Sequence, residues 1–317
     1  MQKPFRLKIK VPGTSANLGP GFDLMGLALK TYNSFFFEFS SDANFQSILK
    51  NGKATPFSRK DDLVYFSYNK YFEIFLPDKN RIPYNIVMDL SLPLKGGLGS
   101  SASACVAGFI AANTIHKKFY KEITPPKENE ILFQLAKLEG HPDNTTPAYL
   151  GGFVFAYFTE NEKLHYFKKK IPSNIDLFVF IPCYETDTNH SRKKLPLHYS
   201  TKDVIFNMAR VGTWMEYIHN SKFEDLLLAL DDQVHTPYRI QNEALLQEIQ
   251  IYSKKNQIGF ALSGSGPTIL FFMEKIRKKH LVKNLEKEIC SITKKTNTRF
   301  RFFQIEPDYK GSTIKIL

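Results

Sequence analysis

Pro93-Leu94-Lys95-Gly96-Gly97-Leu98-Gly99-Ser100-Ser101-Ala102-Ser103 sets three glycines and then serines directly ahead of an alanine-rich stretch. Glycine lets the backbone take φ > 0 and pass close to an anion. The helix that follows aims its unpaired N–H groups and positive dipole end at the same point. The segment therefore reads as a phosphate cradle for ATP, with the Ser100 and Ser101 hydroxyls available to phosphate or Mg²⁺. No lysine follows the last glycine, so this is not a GxxxxGK[ST] loop, and the GxGxxG spacing after a strand is missing too. A different kinase architecture is implied. The bland alternative is a glycine-rich turn capping a buried helix.

A chain of 317 residues has room for a large core, best divided between two closely joined domains. The net charge of +12 invites a nucleic-acid partner. The lysines, however, are scattered or stand in short runs such as Lys168-Lys169-Lys170 and Lys294-Lys295, without interleaved aromatics or a zinc-finger spacing. They read as solvated faces that help attract anions such as ATP, an effect salt would screen, and no nucleic acid is expected. Cys105, Cys183 and Cys290 are too few and too far apart for a disulfide framework or a zinc knuckle, which fits a reducing cytoplasm. The first residues lack an apolar signal core, and no apolar run approaches the ~20 residues of a membrane span. A soluble, cytoplasmic protein with no membrane partner is expected.

The first ninety or so residues read as strands: Leu7-Lys8-Ile9-Lys10-Val11 alternates, as do Phe35, Phe37 and Phe39 and again Met88, Leu90 and Leu92. A helix of small residues is predicted over 101–115. Another over 127–139 is stopped by Gly140. A strand at 152–158 precedes a basic, proline-containing stretch at 167–173, where a domain boundary is placed, dividing 1–168 from 169–317. Helices near 203–219, 223–230 and 242–254 and strands at 175–181, 258–263, 268–273 and 299–305 follow, with a lysine-rich helix between the last two strands. This mixture favours α+β over a doubly wound sheet.

Five further segments carry chemistry. The loop from Val11 to Asp23 is dense in Gly, Pro and small polar residues; Asn17 offers a donor and an acceptor, and Asp23 a carboxylate suited to an ammonium. Glu139-Gly140-His141-Pro142-Asp143-Asn144 concentrates polar function at a helix end. There Glu139, with Ser100, can give oxygen ligands to Mg²⁺, and Asp143 can act as a base or bind an amine. Arg192 and Arg239 each close a loop segment, and guanidinium forks bind carboxylates, although a lone arginine is more often a surface residue. Ser263-Gly264-Ser265-Gly266-Pro267-Thr268 is either a hairpin turn or a place where backbone approaches the cradle.

Taken together these segments resemble the GHMP kinases, and within them the homoserine kinase family. The superfamily signature PxxxGLGSSAS stands intact from Pro93 to Ser103, and SGSGPT at 263–268 is similar to the third family motif. PGTSANLGPGFDLMGLAL at 12–29, EGHPDNTTPAYLGGF at 139–153, the segment from Thr188 to Pro196 and His235-Thr236-Pro237-Tyr238-Arg239 are similar to the homoserine kinase pattern. The resemblance implies a two-domain fold: an N-terminal domain like that of a ribosomal protein, with a left-handed βαβ unit, and a ferredoxin-like C-terminal domain. It implies ATP- and Mg²⁺-dependent phosphorylation of L-homoserine to O-phospho-L-homoserine, on the way to threonine, by a homodimer. It places Asn17, Asp23, His141 and Asp143 near the amino acid and Arg192 and Arg239 on its carboxylate. Ser100 and Glu139 become the Mg²⁺ ligands, and Thr188 a hydroxyl beside the γ-phosphate. Lys95, Gly96, Gly97, Leu98, Gly99, Ser101, Ala102 and Ser103 join Ser100 in holding the nucleotide, with Asp62 at the adenine edge where many relatives carry asparagine. Gly264, Ser265 and Gly266 support the cradle. Another small-molecule kinase of the superfamily, of mevalonate-pathway type, and a non-catalytic ligand-binding relative remain as alternatives.

Overall fold

The computed structural model describes residues 4–184 and 188–317, without the side chains of 188–190 and 277–279. The first sheet is formed by β1 (Phe5–Ala16), β2 (Met25–Phe39), β3 (Ser47–Leu49), β4 (Tyr84–Leu90), β5 (Phe153–Phe158) and β6 (Leu164–Lys169). Helices α1 (Leu63–Phe75), α2 (Ser100–Phe119), α3 (Glu128–Glu139) and α4 (Thr145–Leu150) accompany it. Strand alternation sends Leu7, Ile9 and Val11 of β1, Phe35, Phe37 and Phe39 of β2, and Ile86 and Met88 of β4 into one core with α1 and α2. The two helices meet closely at Gly108, where an added Cβ would lie 2.4 Å from the Val64 carbonyl oxygen.

Helix α1 corrects the expectation of strands throughout this region. Its sequence, LVYFSYNKYFEIF, is rich in strand formers. Yet Val64, Tyr68, Tyr71 and Phe72 fall on one side of a helix and all are buried, so packing overrides propensity. Asp62 caps the helix, its Oδ1 accepting the N–H groups of Val64 (2.9 Å) and Tyr65 (3.2 Å). β3 pairs with β4 in parallel, so β3, α1 and β4 form a βαβ unit.

The chain changes sheets after β6. β7 (Ile175–Pro182), α5 (Thr188–Lys193), α6 (Thr201–Asn220), α7 (Phe223–Ala229), α8 (Thr236–Ile240), α9 (Ala244–Lys255), β8 (Gly259–Leu262), β9 (Ile269–Glu274), α10 (Lys278–Lys295) and β10 (Phe300–Ile305) follow. The second sheet has the order β10-β7-β9-β8, antiparallel throughout, which is the ferredoxin-like arrangement. The last strand, β11 (Thr313–Ile316), then returns to pair with β1.

An apolar seam joins the two halves: Met25, Leu27 and Phe153 pack with Val179, Trp214 and Phe272. Phe153 stacks on Trp214 with ring centroids 5.6 Å apart. The other face of the second sheet is covered by α9 and α10. The loops at the seam are thereby held against one another, and the cleft opens among them. The described residues contain no helix long and apolar enough to cross a membrane.

Candidate active site

A cleft of ≈ 1020 Å³ runs between the two halves. One wall is the glycine segment ahead of α2. Gly97 (φ 79°) and Gly99 (φ 65°) take left-handed conformations. An added Cβ would meet the Ser263 carbonyl oxygen at 2.4 Å and Thr14 Oγ1 at 2.0 Å respectively, so neither position admits a side chain. Gly99 is the N-cap of α2 and offers no side-chain cap, so the first-turn amides are left for another acceptor. Lys95, Gly96, Ser100 and Ser101 share this wall. Leu98, Ala102 and Ser103, expected at the nucleotide, are instead buried away from the cleft. Leu98 and Ala102 pack in the core, and Ser103 Oγ donates to the Ser100 carbonyl at 2.7 Å. A helix has one face toward the cleft, and Ala102 and Ser103 lie on the other, while Leu98 precedes the helix and packs into the seam between the halves.

Asp62 lines the same cleft, but both its oxygens are engaged: Oδ1 caps α1, and Oδ2 accepts from Ser47 Oγ at 2.5 Å. It is a structural cap beside the cleft. Asn33 was not anticipated from sequence. Buried on β2, it donates through Nδ2 to Ser103 Oγ (2.9 Å) and Ser100 Oγ (3.3 Å) and accepts the Leu92 N–H (3.0 Å). It orients the Ser100 hydroxyl.

Glu139 closes α3, and Gly140 at φ 85° turns the chain away. Its Oε1 accepts from Ser101 Oγ at 3.3 Å, while Oε2 is buried with no hydrogen-bond partner among the described residues. Burial pushes its carboxyl up to about 7. An orphaned carboxylate oxygen beside a serine-bearing phosphate cradle is the kind of oxygen site a hard divalent cation fills.

At the other end of the cleft lie Asn17, Asp23, His141, Asp143, Arg192 and Arg239. Arg192 Nη2 donates to Asp23 Oδ1 (2.7 Å) and Oδ2 (2.9 Å). His141 Nδ1 pairs with Asp143 Oδ1 at 2.5 Å. Burial alone would lower the imidazole, but the Asp143 carboxylate outweighs it and holds His141 up to about 9. His141 is therefore cationic at neutral pH. Ligand atoms of Asp23, His141 and Asp143 lie within 4.8 Å of one another. The two carboxylates are thus each paired with a cation, Asp143 with His141 and Asp23 with Arg192.

Asn17 lines the cleft with these residues and is also bonded within the protein. Its Nδ2 donates to the Gly264 carbonyl (2.9 Å) and its Oδ1 accepts the Asp23 N–H (3.1 Å), so it fastens the loop and sets Asp23. The same Gly264 carbonyl accepts from Arg239 Nη1 at 2.7 Å. Ser263 Oγ donates to the Gly97 carbonyl at 2.6 Å, so the Gly264, Ser265 and Gly266 segment joins cradle, loop and arginine. Arg239 is 6% exposed, and its Nε–H has no partner among the described residues. Burial lowers its guanidinium to about 10, still charged at neutral pH. Thr188 begins α5, and its side chain lies outside the described residues.

Three more positions became visible only in the fold. The Phe22 ring lies beneath both guanidinium groups, 5.2 Å from Arg192 and 5.3 Å from Arg239. Trp214 Nε1 donates to the Leu18 carbonyl at 2.9 Å. His235 contacts Gly19 and Arg239. The histidine stood in a quoted motif, but nothing local in the sequence marked its partners.

The GHMP kinases N terminal domain family matches residues 63–152. A homoserine kinase of Natranaerobius thermophilus is 33% identical over 98% of this chain and 98% of its own. One from Clostridium beijerinckii is 33% identical over 90% of this chain and 95% of its own. The crystal structure of homoserine kinase from Cytophaga hutchinsonii superposes with a TM-score of 0.81 at 21% identity, covering 98% of this chain and 97% of that one. The mevalonate kinase of Methanococcus jannaschii reaches 0.63 at 14% identity over 95% and 98%. The second pair of likenesses shows the α+β fold that the superfamily shares, and the first pair shows more: this chain belongs to the homoserine kinase family of the GHMP kinases.

Proposed function

We propose that the protein transfers the γ-phosphoryl group of ATP to the side-chain hydroxyl of L-homoserine, giving O-phospho-L-homoserine for threonine biosynthesis. One observation carries the substrate reading. A buried guanidinium with an unanswered Nε–H, Arg239, shares a cleft with the Asp23 carboxylate and an uncapped helix N-terminus. A zwitterion can engage both the open guanidinium and the carboxylate. Its ammonium replaces Arg192 on Asp23, and its carboxylate takes the forks of Arg192 and Arg239. A sugar or mevalonate has no ammonium to offer Asp23.

On this reading residues 1–168 supply the nucleotide cradle and 169–317 the two arginines. The α2 amides and the Gly97–Ser101 backbone hold the phosphates, with the Thr188 hydroxyl beside the transferred group. Ser100 and Glu139 would hold Mg²⁺; when bound, the ion neutralises phosphate oxygens as charge redistributes. His141, cationic and bonded to Asp143, fixes the amino-acid end and has no free lone pair at Nδ1 with which to take the hydroxyl proton there. Catalysis then rests on aligning the hydroxyl with the phosphoryl group and excluding water. A homodimer and a cytoplasmic setting belong to the same reading.

The test is ADP release with Mg-ATP against L-homoserine, D-homoserine, L-serine, L-threonine, mevalonate, galactose and shikimate. Turnover confined to L-homoserine, or strongest there by orders of magnitude, is expected. Preference for mevalonate or a sugar would overturn the substrate, and binding of ATP with no turnover on any compound would overturn the activity.

A further inference from the structure

His235 is fully buried at the N-cap of α8, one turn before Arg239. Its Nε2 lies 2.8 Å from the Gly19 carbonyl oxygen. A carbonyl only accepts, so Nε2 carries the hydrogen. Its Nδ1 lies 3.3 Å from Arg239 Nη1, which only donates, so Nδ1 presents its lone pair. The two contacts together select the neutral Nε2–H tautomer. Burial, reinforced by the Arg239 charge, lowers the imidazole pKa, and the Asp232 carboxylate acts in the opposite direction.

The surroundings leave the ring little freedom. Phe22 stacks against it with centroids 5.5 Å apart and planes 27° apart. Asp232 Oδ2 lies 3.3 Å from Nε2 and also accepts the N–H groups of His235 (3.1 Å) and Thr236 (2.6 Å). Arg239 Nη1 is thus held from two sides, by the Gly264 carbonyl and by His235 Nδ1, while Nε is left open.

We propose that His235 is a positioning residue for substrate recognition, fixing the Arg239 guanidinium so that its open edge meets the carboxylate of the amino acid. The inference rests on the reading of Arg239 given above. It also explains why the glycine-rich loop and α8 are coupled. The histidine that aims the arginine is itself held by Gly19, immediately before the Pro20–Gly21 turn that leads to Phe22 and Asp23.

The test separates carboxylate recognition from general damage. H235Q keeps a donor near the Nε2 position and removes the acceptor facing Arg239. Expected for H235Q is a KM for L-homoserine raised about tenfold, the loss of one charge-assisted hydrogen bond. The KM for ATP, the kcat and the competitive Ki of 3-aminopropan-1-ol, which lacks the carboxylate, stay within about twofold. A rise in all of these together would mean a structural defect and overturn the proposal, as would an unchanged KM for L-homoserine. H235N, which keeps an acceptor toward Arg239 and loses the donor to Gly19, is the second variant. It should hold the KM for L-homoserine within about threefold of wild type, and an equal rise in every constant would again overturn the proposal. R239M separates the two levels. If R239M leaves the KM for L-homoserine unchanged, the reading of Arg239 fails; if R239M selectively impairs L-homoserine and H235Q does not, only the positioning role fails.

Discussion

Replacing Glu139 by glutamine should make the protein more stable and nearly inactive. In the fold the carboxyl is pushed from 4.5 up to about 7, chiefly by burial, so the native state keeps a proton that the unfolded chain releases between those values. The native state binds more protons in that window, so stability falls as pH rises through it, and the full penalty is present above pH 7. At 1.36 kcal/mol per pH unit the ceiling is ~3 kcal/mol, and solvent reaching the half-buried side chain trims this to ~1–3 kcal/mol. Glutamine carries no such penalty. For a chain of this length, that difference corresponds to a Tm rise of roughly 2–5 °C at pH 8 and none near pH 4.5. Thermal unfolding of wild type and E139Q at both pH values, with and without Mg²⁺, reads the effect. Mg²⁺ should raise the Tm of wild type at pH 8, by mass action on the native state, and leave E139Q unmoved. Steady-state assays should show kcat reduced by at least ~100-fold, with homoserine binding retained. A lower Tm for E139Q at pH 8, or Mg²⁺ stabilisation that survives the substitution, would refute the assignment of the orphaned oxygen to a cation.

Gly99→Ala places a Cβ 2.0 Å from Thr14 Oγ1 at φ 65°, so a loss exceeding ~1 kcal/mol and a raised KM for ATP are expected, read by denaturant unfolding and kinetics. Trp214→Phe removes the Nε1–H bond to the Leu18 carbonyl and should cost ~1–3 kcal/mol while raising the KM for L-homoserine; lost stability with an unchanged KM would mean that this bond does not hold the Asp23 loop. His141, held up to about 9 from 6.5, contributes stability that is complete below pH 6.5 and lost as pH rises through 9. The stability gap between wild type and His141→Gln should therefore narrow by ~1–3 kcal/mol between pH 6 and pH 10 in urea titrations, and a gap independent of pH would count against the ion pair with Asp143.

On the proposed reading, the ion pair between Asp23 and Arg192 joins the carboxylate and guanidinium that would flank a zwitterion. Such a pair stabilises little, since Arg192 is half exposed, but it keeps both groups in the cleft. A ligand with only one of the two charges leaves the other group unpaired on entering.

The cradle, the α+β class and the candidate residues were readable because their signals are local. Glycine at 97 and 99 reports a backbone conformation, alternation in β1 and β2 reports a sheet face, and Gly140 reports a helix stop. The misreading of α1 was local too: strand-forming aromatics obscured a helical spacing that only burial against β1, β2 and β4 made decisive. The helix α8 and the return of β11 to β1 were not legible, because each is stabilised by partners distant in sequence. The same holds for what each polar side chain does. Asn17 and Asp62 line the cleft and also fasten the fold, through partners at Gly264 and Ser47. Asp23 and Arg192 lie 169 residues apart and meet through one guanidinium nitrogen shared between both carboxylate oxygens, and His235 reaches Gly19 across 216 residues. Residue types and spacing specify which chemistry the chain carries, through short-range conformational preferences. Which groups are paired, which stay open and which are merely structural depends on burial and long-range hydrogen bonding, and those exist only when the two sheets close on their shared seam.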